Sequence, residues 1–120
     1  MSQHVLLIED EPNIAEAIRF LLSREGLRVS HLAQGDTALE QMRADRPDLV
    51  IVDHMLPGLS GLEIVQDLRA DPTLSALPVI MLTARGRDRQ IAEQAGVDRF
   101  IAKPFANADI LAEVRAIMAR

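Results

Sequence analysis

Short runs of consecutive apolar residues recur along the chain and alternate with segments in which apolar residues follow a helical period. Two clear runs are 49–52 (LVIV) and 79–82 (VIML). A strand that is apolar at every position is buried on both faces, which is typical of parallel sheets covered by helices on both sides. The alternation therefore predicts an α/β fold.

Five strand–helix units follow one another without an internal break. Pro12 suits the first turn of the first helix, Gly26 suits its end, and Ser60 is a plausible cap for the third. We predict one domain over 1–120, with a doubly wound, flavodoxin-like five-stranded parallel sheet in the order 2-1-3-4-5 and five helices on both faces. The predicted strands are 5–8, 27–32, 49–52, 79–82 and 99–102. The second of them is partly polar, which suits an edge position.

Composition excludes several classes of function. The chain has no cysteine, which removes disulfides, thiol catalysis and zinc–thiolate sites. A net charge of −5 disfavours non-specific binding to nucleic acid or anionic lipid by this domain. It has no apolar run approaching the ~20 residues of a membrane span, and its first residues lack the pattern of a signal peptide. We therefore expect a cytoplasmic domain that does not bind a membrane.

Polar residues follow the predicted strands where each strand ends. Glu9 and Asp10 follow the first, Asp53 the third, Thr83 the fourth and Lys103 the fifth. Right-handed crossovers place the C-terminal ends of parallel strands at one edge of the sheet, where ligands bind. The order therefore predicts three carboxylates, one hydroxyl and the only lysine of the chain around one pocket.

These residue types are suited to phosphoryl transfer. Clustered carboxylates repel one another unless a cation such as Mg²⁺ or the Lys103 ammonium relieves them. Asp53 could act as the nucleophile and Thr83 could donate to a phosphoryl oxygen. Each residue alone also has a simpler interpretation. Glu9 and Asp10 could merely favour the start of the next helix, Asp53 could be a turn former, Thr83 a loop hydroxyl and Lys103 a surface charge. His54 is expected to be a loop residue, and we assign no role to the other two histidines.

Four stretches carry a resemblance to a known family: 5–12 (VLLIEDEP), 49–61 (LVIVDHMLPGLSG), 78–85 (PVIMLTAR) and 100–105 (FIAKPF). In this order they resemble the receiver domain of bacterial two-component response regulators. The resemblance implies that Asp53 is the phosphoacceptor and that Mg²⁺ is the cofactor. It implies that Asp10 binds the metal directly, Glu9 through water, and Met55 through its backbone carbonyl, with Asp53 completing the set.

The resemblance also implies a switch. Thr83 and Lys103 would contact the phosphoryl oxygens, and the Lys103–Pro104 bond would be cis. Thr83 would move towards a phosphorylated Asp53, and Phe100 would fill the vacated space. The segment 85–96, which has few apolar residues, would move, and the face made by helix 4, strand 5 and helix 5 would be the output surface.

The resemblance also implies which proteins donate the phosphoryl group and which receive the signal. The phosphoryl group would come from a sensor histidine kinase or a histidine phosphotransfer protein, and the domain would then dephosphorylate itself rather than act as an enzyme on other substrates. An effector protein or a fused output domain would receive the signal, and a homodimer could form on phosphorylation. Many DNA-binding members of the family carry two adjacent acids before the switch aromatic and dimerise through charge pairs. This chain has Asp98 and Arg99 there, which does not match that mode of dimerisation.

Three alternatives remain at this stage. A Mg²⁺-dependent phosphatase would need a second acid two residues after Asp53, where the chain has Met55. A flavin or mononucleotide carrier would place Gly, Ser and Thr after the first strand, where this chain has acids. The third alternative is an interaction module that is never phosphorylated, which the full set of polar residues disfavours.

Overall fold

A computed structural model describes residues 3–84 and 88–119 of the chain. Strands and helices alternate throughout. They are β1 (His4–Ile8), α1 (Pro12–Arg24), β2 (Arg28–Leu32), α2 (Ala38–Ala44), β3 (Leu49–Asp53), α3 (Gly61–Ala70), β4 (Val79–Thr83), α4 (Asp88–Ala95), β5 (Arg99–Ala102) and α5 (Asn107–Met118). All four strand pairings are parallel, in the order β2-β1-β3-β4-β5. The predicted fold class, strand order and edge position of the second strand are confirmed.

Alternate residues of each central strand enter opposite cores. In β1, Val5 and Leu7 pack with residues of α1 and α5, whereas Leu6 and Ile8 pack with residues of α2, α3 and α4. Side chains of a strand point alternately to the two faces of a sheet, so a run without polar residues supplies both cores at once. The continuous apolar runs in the sequence are the direct consequence.

Helix starts follow local chemistry. Pro12 occupies the first turn of α1, and the Ser60 hydroxyl accepts a hydrogen bond from Glu63 N at 3.2 Å to cap α3. The sequence pair Gly35 and Asp36 predicts that the second helix opens there, whereas in the structure it begins at Ala38. Gly35 is buried, and a Cβ there would come too close to the end of the Ile64 side chain, so this segment packs closely against α3.

The fourth helix buries few apolar side chains, as its sequence indicated. Ala92 is buried, whereas Ile91 is 53% exposed. The sequence predicts this helix over 87–95. Its predicted start, Arg87, and the first three residues of the predicted mobile segment, 85–87, lie outside the described residues. Within the described ranges, none of the helices has the length and apolar character needed to cross a bilayer.

Candidate functional site

The ends of the strands bring the predicted polar residues to one edge of the sheet. β1 and β3 are neighbours, so Glu9, directly after β1, lies beside Asp53, the last residue of β3. Thr83 ends β4, and its backbone carbonyl accepts a hydrogen bond from Lys103 N at 2.8 Å. Topology alone thus gathers residues that are up to 94 positions apart in the chain.

Three carboxylates form a tight cluster at this edge. One oxygen each of Glu9, Asp10 and Asp53 lies within 4.8 Å of the others. Glu9 is 0% and Asp53 4% exposed, whereas Asp10 is exposed. Two of the three acids are therefore held out of water, where their negative charge needs a compensating partner.

Lys103 supplies one positive partner. Its Nζ donates to Asp53 Oδ2 at 2.6 Å and to Glu9 Oε1 at 3.1 Å. Burial lowers the pKa of Lys103, but the hydrogen bonds and charges of Asp53 and Glu9 outweigh burial and leave this pKa above its ordinary value. The ammonium is thus charged at neutral pH and binds two buried carboxyls at once.

Glu9 is the most perturbed group of the site. Burial, and then its contact with Asp53, raise the pKa of Glu9 to about 7, while hydrogen bonds from Glu11 N and Lys103 act in the opposite direction. One ammonium is therefore insufficient for three carboxyls, and without a further cation Glu9 competes for a proton near neutral pH.

Backbone groups complete the surroundings of the acids. Met55 N donates to Asp53 Oδ1 at 3.1 Å, and Glu11 N donates to Glu9 Oε2 at 3.1 Å. The His31 ring contacts the Glu9 carbonyl oxygen through Nε2 at 2.8 Å. Sequence reasoning assigned nothing to His31; the available signal was a polar residue near the end of a weak strand beside the acid pair.

Of the two predicted switch residues, Thr83 lies at this edge, at the end of β4, whereas Phe100 is the second residue of β5 and pairs with Met81. Thr83 is buried, and Phe100 is half-buried with the Arg89 guanidinium carbon 5.0 Å from its ring centre. The Lys103–Pro104 peptide bond is cis, as expected. The functional roles of Thr83 and Phe100 remain predictions.

The donor set fits a small divalent cation. Carboxylate and carbonyl oxygens are the hard ligands that Mg²⁺ prefers, and it is commonly bound by one or two carboxylates with several waters. The clustered oxygens of Glu9, Asp10 and Asp53 match that chemistry. The Met55 backbone carbonyl, two residues after Asp53, remains a predicted ligand.

Comparison with known proteins gives a consistent family. Residues 5–115 match the response regulator receiver domain. The transcriptional regulatory protein CseB of Streptomyces coelicolor is 41% identical over 119 residues, covering 98% of this chain and 50% of that protein. The chain spans about half the length of the curated relatives it matches.

Solved structures agree with this assignment. A putative response regulator from Chloroflexus aurantiacus superposes with a TM-score of 0.94 at 34% identity, covering all of both chains. The receiver domain of the sensor histidine kinase PA1611 from Pseudomonas aeruginosa, which has magnesium coordinated in its active site cleft, superposes with a TM-score of 0.91 at 31% identity over all of both chains. With its fold, its edge of clustered acids and these relatives, the chain belongs to the receiver domains of two-component response regulators.

Proposed function

We propose that this domain is a phosphoacceptor switch in which Asp53 receives a phosphoryl group from a phosphohistidine. The donor would be a sensor histidine kinase or a histidine phosphotransfer protein. The observation that carries the proposal is the contact of one ammonium, Lys103 Nζ, with both Asp53 and Glu9 inside a cluster of three carboxylates. A site that is short of positive charge in this way is suited to a divalent cation and an incoming phosphoryl group.

Asp53 acts as the nucleophile. One carboxylate oxygen attacks phosphorus, the bond between phosphorus and the donor imidazole nitrogen breaks, and the leaving nitrogen takes up a proton. The switch is turned off by hydrolysis: a water oxygen bonds to phosphorus, the bond between phosphorus and the Asp53 oxygen breaks, and inorganic phosphate, a proton and the free Asp53 carboxylate result. Met55 N holds Asp53 Oδ1 at 3.1 Å, so the orientation of the nucleophile is set before the donor arrives.

Charge on the transferred group is balanced by residues already in place. Lys103 Nζ, now shared between Glu9 and Asp53, can turn to the phosphoryl oxygens, and the Thr83 hydroxyl can donate to another. Glu9, Asp10, Asp53 and the Met55 carbonyl would hold Mg²⁺, which when bound neutralises negative charge on the phosphoryl oxygens.

Phosphorylation would change the face formed by α4, β5 and α5. A new dianion at Asp53 attracts the Thr83 hydroxyl, and Phe100 would move into the space that Thr83 leaves. Two charged residues ahead of Phe100 are engaged within the chain: Asp98 Oδ2 with Arg69 Nη2 at 3.0 Å, and Arg99 Nε with Glu113 Oε1 at 3.1 Å. A charge-paired dimer through these two residues would first have to break both contacts.

The domain would pass its signal to an effector protein or to a fused output domain rather than turn over an external substrate. CseB is named a transcriptional regulator and is about twice as long as this chain, which supports a fused output. Sustained hydrolysis of a phosphomonoester such as p-nitrophenyl phosphate would contradict this part of the proposal. Cytoplasmic location, the absence of direct nucleic-acid binding and dimer formation on phosphorylation remain predictions.

Intact mass spectrometry tests the phosphoacceptor. After incubation with acetyl phosphate and Mg²⁺, the protein should gain one phosphoryl group, about 80 Da. Asp53→Asn and EDTA should each abolish the gain, whereas Asp67→Asn, which alters an exposed aspartate of α3, should leave it intact. An equal gain in Asp53→Asn would show that another residue is the acceptor.

The switch has a separate test. The chain has three Phe and no Tyr or Trp, so the ring of Phe100 can be followed in an uncrowded aromatic NMR spectrum. Phosphorylation should shift its signals in the unmodified protein and in Thr37→Ala, whose hydroxyl forms no cap at the start of α2. Thr83→Ala should still gain the phosphoryl mass without the shift. If phosphorylation moves the Phe100 signals in Thr83→Ala as far as in the unmodified protein, Thr83 does not couple Asp53 to Phe100.

A further inference from the structure

His31 contacts the backbone of the acid pair from the neighbouring edge strand. It is the second-last residue of β2, it is half-buried, and its Nε2 lies 2.8 Å from the Glu9 carbonyl oxygen. Glu9 N donates to Leu32 O at 3.0 Å, the last residue of β2. The end of β2 therefore holds both the N–H and the C=O of Glu9, the first through backbone and the second through a side chain.

The Glu9 carbonyl matters because of the residue that follows it. The Glu9 C=O and the Asp10 N–H belong to one rigid peptide plane, so holding the carbonyl sets the direction in which the chain continues to the Asp10 Cα. Both Glu9 carboxylate oxygens are already held, by Glu11 N and by Lys103 Nζ. Among the described residues no hydrogen bond holds the exposed Asp10 carboxylate, so its position depends on this backbone.

We propose that His31 is a positioning residue for magnesium binding. By donating its Nε2–H to the Glu9 carbonyl, it orients the Glu9–Asp10 peptide and keeps the Asp10 carboxylate beside those of Glu9 and Asp53. The inference rests on the proposed function, which makes this cluster a magnesium site. Groups that orient a metal ligand at one remove typically change metal affinity about 10–100-fold when they are lost.

Three variants separate this role from a general effect on β2. His31→Leu removes both ring nitrogens and keeps an apolar side chain, whereas His31→Gln keeps an N–H donor at a similar reach. Ser30→Ala is the matched control. Ser30 lies next to His31 in β2, and its hydroxyl is hydrogen-bonded to His4 Nε2 of β1 at 2.7 Å rather than to Glu9.

The measurement is the Mg²⁺ dissociation constant from isothermal titration calorimetry on the full chain, with MgCl₂ alone and no phosphodonor. We expect the constant to rise about tenfold or more in His31→Leu, and to stay within about twofold in His31→Gln and Ser30→Ala. Equal affinity in His31→Leu and the unmodified protein would overturn the inference and leave the proposed function standing. A loss in Ser30→Ala as large as in His31→Leu would also overturn it, since loosening of the strand would then explain both.

Two further outcomes complete the test. If the unmodified protein binds no Mg²⁺, the metal site fails and this inference fails with it. A measurement without substitution covers the case in which His31→Leu does not fold. A carbonyl oxygen only accepts hydrogen bonds, so the neutral His31 ring must carry its proton on Nε2. Long-range ¹H–¹⁵N NMR in mildly alkaline buffer should report that tautomer, and a proton on Nδ1 would refute the proposal.

Discussion

Replacing Lys103 with methionine should destabilise the domain most strongly above neutral pH in magnesium-free buffer. Lys103→Met keeps an apolar stem of similar length but leaves the Glu9 and Asp53 carboxyls without their shared ammonium. Breaking a buried ion pair by removing one partner costs about 3–5 kcal/mol. Because the Lys103 side chain is 21% exposed and Glu9 can take up a proton, we expect a loss of about 2–3 kcal/mol near pH 8.

The pH dependence of that loss follows from Glu9. The pKa of Glu9 in the folded protein, about 7, lies above the ordinary value of 4.5, so its contribution to stability is present below that ordinary value and is lost as pH rises through about 7. Lys103 acts to lower this pKa, and removing it raises the pKa further. In Lys103→Met the folded state therefore keeps Glu9 protonated, which costs little free energy at about pH 6 and more at about pH 8. The loss of stability relative to the unmodified protein should therefore grow with pH.

Urea unfolding followed by far-UV circular dichroism suits this chain, which has no Trp or Tyr to report by fluorescence. With a slope of about 2 kcal/mol per molar urea, the midpoint should fall by about 1–1.5 M near pH 8. Arg115→Met is the control: Arg115 pairs with Glu25 at 2.6 Å, but its side chain is 65% exposed, so its loss should cost less than about 1 kcal/mol. An unchanged midpoint for Lys103→Met near pH 8, or a larger deficit near pH 6, would refute the reasoning.

Three further changes test other parts of the structure by urea unfolding. Gly61→Ala would place a methyl group on the backbone carbonyl of Asp53, which cannot easily move, and should cost about 2–4 kcal/mol; a loss below about 1 kcal/mol would contradict that contact. Burial, and then Arg28, lower the pKa of His4 from its ordinary value of 6.5. The neutral ring therefore supports stability above 6.5, and this contribution is lost as pH falls from 6.5 through the lower pKa of the folded protein; if His4→Gln has the same acid dependence, another group is responsible. Arg69→Met removes the guanidinium hydrogen bonds to the backbone carbonyls of Gly96, Ser75 and Leu77. The free energy of unfolding should fall by about 2–3 kcal/mol, and amide exchange around Gly96 should become faster. Unchanged exchange there would contradict this role.

Local patterns in the sequence were sufficient for the layered architecture. A run such as 49–52 has no polar residue to expose, so it has to lie between two helical layers, and the structure places it in the middle of the sheet. The polar residues that end these runs, among them Asp53 and Thr83, then collect at one edge because all strands run in the same direction. The start of α2 was predicted too early: the helix begins at Ala38, and Gly35 packs closely against Ile64 instead of opening it.

The contacts within the site depended on the tertiary structure. Sequence reasoning allowed the Lys103 ammonium to relieve the clustered carboxylates. Its simultaneous bonds to Asp53 and Glu9, and the raised pKa of Glu9, follow from burial and distances that no local pattern contains. The same holds for His31, whose ring reaches the Glu9 carbonyl only because β2 pairs with β1 in this register. The strands can be recognised in the sequence because every residue of a buried strand has to be apolar, which leaves a continuous apolar run. Charge and hydrogen bonding at the site are decided by groups that meet only after the chain has folded.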